Sequence, residues 1–154
     1  MSRNEKYEVD LIKKIEELKL FFIKDKEILE KIEPTILKLE SPKLSLYFSC
    51  YIKEANISQH ENIIIESNLP NYIYFFARDV NSVNITKLED AIIKIGNPEY
   101  ICYFSWDIEE ANIDKLEKAI IKTNDLKWIL DFEKYVNTKH SDLLYKKILK
   151  LNKK

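Results

Sequence analysis

Apolar residues recur along this chain at helical spacing, and the pattern repeats with a period of 28 residues. Phe48, Phe76, Phe104 and Phe132 hold one position in four successive segments, and Ile or Val follows each Phe four residues later. Side chains three and four residues apart share one face of an α-helix. A fixed period of this length is typical of solenoids and other tandem arrays. We therefore expect the Phe stripe to form the core of a repeated helical unit.

Each segment has the pattern of two helices joined by a short loop. One position opens the first helix, of about eleven residues, in all four segments: Pro42, Pro70, Pro98 and Leu126. Proline suits this position because its missing N–H costs no hydrogen bond in the first helical turn. The residues just before are N-cap types in three segments: Ser41, Asn97 and Asp125. Leu69 is the exception.

The second helix of each segment shows its own start and stop signals. N-cap residue types recur at one position: Ser58, Thr86, Asp114 and Asp142. A glutamate follows three residues later in three segments: Glu61, Glu89 and Glu117. This spacing predicts capping boxes, which explain the glutamates without catalysis. Residue types that tolerate a left-handed backbone predict the helix ends: Asn68, Gly96, Asn124 and Asn152.

The first forty-one residues differ from these segments. Their apolar spacing predicts an amphipathic helix from Asn4 to Ile23, then a break at residues 24–26 and a second short helix. Glu33-Pro34 should interrupt that helix, because the residue before a proline avoids helical geometry. Ile32 and Ile36 nevertheless lie where the later segments place apolar residues, which would fit a degenerate extra repeat.

These patterns predict an all-α fold with no strand. We expect one domain, residues 1–154, built as a right-handed α-solenoid of four helix-loop-helix repeats behind an N-terminal helical cap. The cap is 1–41, and the repeats are 42–69, 70–97, 98–125 and 126–154. Terminal units of solenoids are usually atypical, as the cap is here.

Composition removes several functional classes. The single glycine, Gly96, excludes glycine-rich phosphate loops, and the net charge of −1 provides no general attraction for nucleic acid or anionic lipid. Cys50 and Cys102 have no metal-ligand spacing with His60 and His140, so we expect no metal and interpret both cysteines as reduced thiols of a cytoplasmic protein. His60 replaces a core leucine. We expect no catalytic residue, no cofactor and no membrane association, and hence no enzyme.

The remaining face of the first helices is unusually aromatic for a surface exposed to solvent. We call it the first-helix ladder, and its residues are Tyr47, Tyr51, Phe75, Arg78, Asp79, Tyr103, Trp106, Asp107, Lys134 and Tyr135. Aromatic residues and Arg are enriched at protein interfaces, so these residues are the candidate partner-binding site. Two structural alternatives stay open: Tyr47, Phe75 and Tyr103 pack between repeats, and Arg78 forms an ion pair with Asp107.

The segments at 71–94 and 100–122 resemble a short α-helical tandem repeat found in proteins of low-GC bacteria and their mobile elements. The shared residues include Phe76, Ala77, Arg78, Asp79 and Val80 in the first copy. The resemblance is close for residues 70–124, weaker for 42–69 and thin for 126–152. More broadly, it is similar to HEAT and TPR solenoids, which implies a protein-binding scaffold with no catalytic residues to transfer.

These observations lead to the hypothesis of a protein–protein interaction module, an adaptor or an inhibitor that acts by occupying a surface. One specific form is a phage or mobile-element inhibitor of a host defence enzyme. The alternative is a nucleic-acid-binding solenoid, for which the lysines that close the chain, from Lys146 to Lys154, would be the contact.

Overall fold

The computed structural model describes residues 3–20, 26–136 and 142–152, and all regular secondary structure within these ranges is α-helical, which confirms the predicted all-α class. The helices are α1 (Arg3–Leu20), α2 (Lys26–Leu39), α3 (Pro42–Tyr51), α4 (Ile57–Glu66), α5 (Pro70–Asp79), α6 (Ile85–Ile95), α7 (Pro98–Asp107), α8 (Ile113–Thr123), α9 (Leu126–Tyr135) and α10 (Asp142–Leu151). The chain forms two compact units, residues 1–83 and 84–154.

The Phe stripe is the core, as predicted. Phe48, Phe76, Phe104 and Phe132 are all fully buried. The position three residues earlier is also fully buried in every segment: Ser45, Ile73, Ile101 and Ile129. Burying a phenylalanine side chain stabilises a fold by about 1.5–3 kcal/mol, so the repeated stripe accounts for much of the apolar driving force.

In the first unit, α3 packs against α1, α2, α4 and α5. One buried cluster combines the N-terminal helices with the first segment: Leu11, Ile15, Ile32, Ile36, Leu44, Phe48 and Ile52. The N-terminal helices therefore share their apolar core with α3. In the second unit, α7 packs against α6, α8 and α9, and α10 packs against α8 and α9.

The predicted caps of the first helices are confirmed. The side chains of Ser41, Asn97 and Asp125 each accept a hydrogen bond from the backbone N–H three residues on, and Leu69 makes no such bond. The hydroxyl of Ser67 instead accepts from the Leu69 N–H at 3.2 Å. Each first helix has ten residues, one fewer than expected.

The predicted caps of the second helices are wrong by two residues. Asn56, Asn84 and Asn112 are the N-caps, and their side chains accept from the N–H three residues on. The residues predicted as caps lie inside the helices: Ser58, Thr86 and Asp114. The predicted capping boxes are therefore wrong, and their glutamates are buried. Asp142 is the first residue of α10; residues 137–141, His140 among them, lie outside the described part of the chain.

The predicted interruption at Pro34 is also wrong, because α2 continues through it. Proline inside a helix removes one hydrogen bond and costs about 3 kcal/mol. Here Pro34 lies on the exposed side, while Ile32 and Ile36 on either side of it are buried and hold both turns in place. Residues 24 and 25 of the predicted break, and the predicted end of the first helix at Ile23, are outside the described residues.

The predicted helix ends adopt the left-handed backbone at Asn68, Gly96 and Asn124, with φ of 53°, 72° and 61°. Glu40 has the same conformation, with φ of 49°, and precedes Asn68 by 28 residues. Because glutamate rarely adopts this conformation, its presence at this position indicates that α2 ends as the later second helices do.

Candidate partner-binding surface

All ten ladder residues lie on first helices. Five belong to the first unit, on α3 and α5: Tyr47, Tyr51, Phe75, Arg78 and Asp79. Five belong to the second unit, on α7 and α9: Tyr103, Trp106, Asp107, Lys134 and Tyr135. Four of the six aromatic rings are half-buried: Tyr47, Phe75, Tyr103 and Trp106. Tyr135 is the most exposed of the ladder aromatics, at 56%.

An aromatic cluster joins α7 to α9 in the second unit. The ring of Tyr103 lies 5.4 Å from Trp106 and 5.8 Å from Trp128, and Trp106 lies 5.2 Å from Tyr135. Tyr100 completes the cluster at 5.7 Å from Tyr103. The pairs are edge-on or tilted, and such contacts contribute about 0.5–1.5 kcal/mol each beyond area burial. The aromatic ladder residues of this unit thus pack against one another, and Tyr135 is the ring of the cluster that is most exposed to solvent.

Charged groups border this cluster. The Lys127 ammonium lies 4.4 Å from the centre of the Trp128 ring, and Lys134 lies 4.7 Å from that of Tyr135. The Tyr103 hydroxyl donates to Glu99 at 3.0 Å. The indole N–H of Trp106 is buried and makes no hydrogen bond in the described structure. The surface is therefore amphipathic, with aromatic faces and polar groups of both signs.

Arg78 is the polar centre of the ladder in the first unit. Its guanidinium donates to both carboxylate oxygens of Asp79, at 2.7 and 2.9 Å, and to the Tyr74 hydroxyl at 3.2 Å. It also lies 4.8 Å from the centre of the Phe75 ring. The hydrogen bonds to Asp79 and then Tyr74 raise the pKa of Arg78 above its ordinary value. The planar acceptor of this guanidinium is the Asp79 carboxylate, which fixes its orientation on α5.

A cleft of about 520 Å³ opens next to Asp79 at the C-terminal ends of α3 and α5. Cys50, Tyr51 and Lys53 line it from α3 and the loop that follows. Desolvation, followed by the charge of Asp79, raises the pKa of the Cys50 thiol, although Arg78 opposes this. A thiol with a raised pKa is a poor nucleophile, so Cys50 is not an activated thiol.

Two glutamates, the half-buried Glu33 and the buried Glu89, join consecutive hairpins, a role that the sequence patterns did not reveal. Glu33 accepts the backbone N–H of Asn56 at 2.5 Å, and Glu89 accepts that of Asn112 at 2.6 Å. In both cases a second helix holds the N-cap residue of the following second helix, 23 residues further along the chain. Glu33 lies 28 residues before Glu61, and this spacing is the sequence signal that identifies Glu33 as the equivalent glutamate of an extra repeat.

His60 is a core residue, as predicted, and is fully buried against the Phe48 ring. Its Nε2 lies 3.2 Å from the same Glu33 oxygen that accepts the Asn56 N–H. Desolvation lowers the pKa of His60 below its ordinary value, and the nearby Glu33 carboxylate opposes part of that effect. The neutral imidazole therefore belongs to the packing of α2, α3 and α4.

The described residues contain neither a metal-ligand cluster nor a membrane-spanning helix. Within residues 3–20, 26–136 and 142–152, no group of three or more His, Cys, Asp or Glu side chains could hold a metal ion. No helix in those ranges has the length and apolar content needed to cross a bilayer. Comparisons with protein-family models, with curated proteins and with solved structures found no match to this chain.

Proposed function

We propose that this chain is a short-repeat α-solenoid in the cytoplasm that binds another protein through the first-helix ladder, as an adaptor or an inhibitor. The repeat architecture is supported by the Glu33–Asn56 and Glu89–Asn112 bonds, which join successive second helices in the same way inside each unit. Nearest-neighbour bonds of one type are what an array of stacked hairpins requires.

The observation that carries the binding proposal is the aromatic cluster of α7 and α9. Trp106, which packs against Tyr103, contacts the Tyr135 ring at 5.2 Å, and this contact restricts the exposed ring before a partner binds. Rigid, partly buried aromatic residues bordered by polar groups are typical of binding hot spots. Arg78 and Phe75 form the corresponding group in the first unit.

The test is affinity capture from cells of the source organism with the immobilised chain. Tyr135→Ser and Arg78→Ala should each reduce recovery of the partner at least about tenfold if they replace hot-spot residues. Leu39→Ser is the control, because Leu39 is an exposed apolar side chain, at 37%, and lies on α2 outside the ladder. Unchanged recovery with Tyr135→Ser and Arg78→Ala, at wild-type helical content, would refute the ladder as the binding site.

Nucleic-acid binding is the second candidate, and one observation favours it. Lys127 and Lys134 lie over the rings of Trp128 and Tyr135, and aromatic rings beside cations can stack bases. Such binding must weaken steeply as salt is raised. A gel shift with a single-stranded oligonucleotide at low and moderate salt separates the two functions, since absence of a shift at low salt would exclude this one.

A further inference from the structure

The last described hairpin exposes a face that earlier hairpins bury. In α7, Cys102 is fully buried, and its thiol donates to the Trp128 carbonyl of α9 at 3.3 Å. Leu130 holds the same repeat position in α9, yet it is 42% exposed. The α7 position is covered by the next hairpin, whereas the α9 position is open.

The second helix of this hairpin shows the same change. Glu89 and Glu117 are 2% and 6% exposed, and Glu89 reaches the backbone of the following hairpin. Tyr145 stands at that position in α10 and is 57% exposed. Leu149 follows one turn later and is 43% exposed, whereas its counterpart Ile121 is half-buried. We call Leu130, Tyr145 and Leu149 the end face.

The end face is not made for another repeat of the same kind. Tyr145 replaces the carboxylate that would accept the N–H of a following N-cap. Three large apolar side chains on adjoining helices, each more than two-fifths exposed, are typical of an interaction site.

The charges around the end face indicate the partner's chemistry. Lys127 and Lys134 lie one turn before and one turn after Leu130 on α9, and all three are exposed. Lys146 and Lys150 run beside Tyr145 and Leu149 on α10 and are also exposed. Among the described residues of α9 and α10, the only exposed acidic side chain is Asp142. A second copy of this face would bring lysines against lysines, so self-association is disfavoured.

We propose that the end face docks an acidic amphipathic helix of another protein. Its apolar stripe covers Leu130, Tyr145 and Leu149, and its Asp and Glu residues face the bordering lysines. Helices bind helical surfaces in this way through apolar residues at i, i+3, i+4 and i+7. Lys134 belongs to both the end face's border and the first-helix ladder, but Leu130, Tyr145 and Leu149 are not ladder residues, and the proposal does not depend on the ladder's function.

The probe is a fluorescein-labelled helical peptide with leucines on one stripe and glutamates elsewhere, measured by fluorescence anisotropy against the full chain. Two control peptides carry lysines in place of the glutamates or alanines in place of the leucines. The acidic leucine peptide should bind, and the two controls should bind at least about tenfold more weakly. Equal binding of the alanine peptide would overturn the proposal, because attraction would then be purely electrostatic. Absence of binding by the acidic leucine peptide would overturn it as well.

Variants of the chain locate the site. Tyr145→Glu introduces the residue found at the equivalent positions 89 and 117, and Leu149→Glu tests the second apolar side chain. Both should weaken binding of the acidic peptide about tenfold or more, at unchanged helical content, since they add like charge to the interface. Arg78→Ala, on the ladder residues of the first unit, should leave it unchanged. Equal affinity of all three variants and the wild type would place the peptide elsewhere and refute the proposal.

Two further measurements test whether a second copy of the chain or a nucleic acid occupies the end face instead. Sedimentation velocity of the wild type should show a monomer, and a dimer that Leu149→Glu dissociates would assign the end face to a second copy. The affinity for a labelled oligonucleotide should be the same in Tyr145→Glu, Leu149→Glu and the wild type. If it bound the wild type and lost affinity in both variants, the end face would be a nucleic-acid site and the proposal would be wrong.

Discussion

Removing the Glu89 side chain tests how consecutive hairpins are joined. The carboxylate is almost fully buried, accepts the Asn112 N–H at 2.6 Å through one oxygen, and lies 2.9 Å from the Lys115 ammonium through the other. In Glu89→Ala both contacts disappear, and the N-cap residue of α8 loses the acceptor for its own N–H. We expect α6 and α8 to lose their specific connection without losing their individual helices.

The magnitude follows from the two contacts. A hydrogen bond to a charged group contributes about 1.5–3 kcal/mol, and its loss leaves a backbone donor unsatisfied. The ion pair adds at most about 1 kcal/mol, because Lys115 is partly exposed and keeps its bond to Asp90 at 2.5 Å. The free energy of unfolding should therefore fall by about 2–4 kcal/mol. Glu89→Gln, which keeps an acceptor, should cost about 1–2 kcal/mol.

The assay is urea unfolding followed by tryptophan fluorescence, since Trp106 and Trp128 both lie in the same unit as Glu89. Asp90→Asn is the matched control: its side chain is 62% exposed and pairs with the same lysine, so it should cost less than about 1 kcal/mol. Hydrogen exchange at the Asn112 amide should accelerate in Glu89→Ala. If Glu89→Ala and Asp90→Asn unfold within about 0.5 kcal/mol of each other, the connecting bond does not stabilise the unit.

Three further predictions address the first unit and the thiols. Burial lowers the pKa of His60, so as pH falls the unfolded chain binds a proton before the folded chain does. The free energy of unfolding of the wild type should therefore fall as pH drops through about 6.5. That of His60→Leu should fall less, and urea midpoints measured above and below this pH will show the difference. Pro34→Ala should raise the free energy of unfolding by about 1–3 kcal/mol by restoring a helical hydrogen bond, and an unchanged urea midpoint would contradict this. Burial, and then the nearby acidic residues, raise the pKa of Cys102 to about 12. In the folded protein iodoacetamide should therefore modify Cys50, and it should modify Cys102 only after unfolding, as mass spectrometry can show. Equal labelling of both thiols in the folded protein would disprove the burial of Cys102.

The proposed end face and the first-helix ladder give the chain two binding surfaces that share only Lys134. Tyr135 and Tyr145 are exposed to nearly the same extent, so exchanging each for serine provides reciprocal controls. A partner that responds only to Tyr135→Ser uses the ladder, and an acidic helix that responds only to changes at Tyr145 uses the end face. An adaptor would be expected to use both surfaces at once, whereas an inhibitor needs only one.

Local sequence signals predicted the first helices almost to the residue. Proline at N1 and Ser41, Asn97 or Asp125 before it act through bonds within one turn, so no distant contact is needed to interpret them. The left-handed ends at Gly96 and Asn124 are local in the same sense. The Phe stripe was equally clear, because its period matches the helix and repeats four times.

The errors arose where a residue's partner lies far away along the chain. Ser58 and Glu61 have the spacing of a capping box, but Asn56 provides the cap and Glu61 is buried. A cap at Asn56 and a capping box from Ser58 to Glu61 satisfy local capping rules equally well, so residue propensity alone cannot distinguish them. The burial of Ile32 and Ile36 likewise overrides the tendency of Pro34 to end a helix.

The sequence by itself determined the helical class, the period and the residues of the core, because these depend on spacing along one helix. Only the tertiary structure decided the role of the glutamates that recur at the 28-residue period: Glu33 and Glu89 accept backbone N–H groups 23 residues away. It also decided that Leu130 and Tyr145 are open while their counterparts, Cys102 and Glu117, are covered. Exposure depends on whether a following hairpin packs there, and identical helical spacing cannot report that.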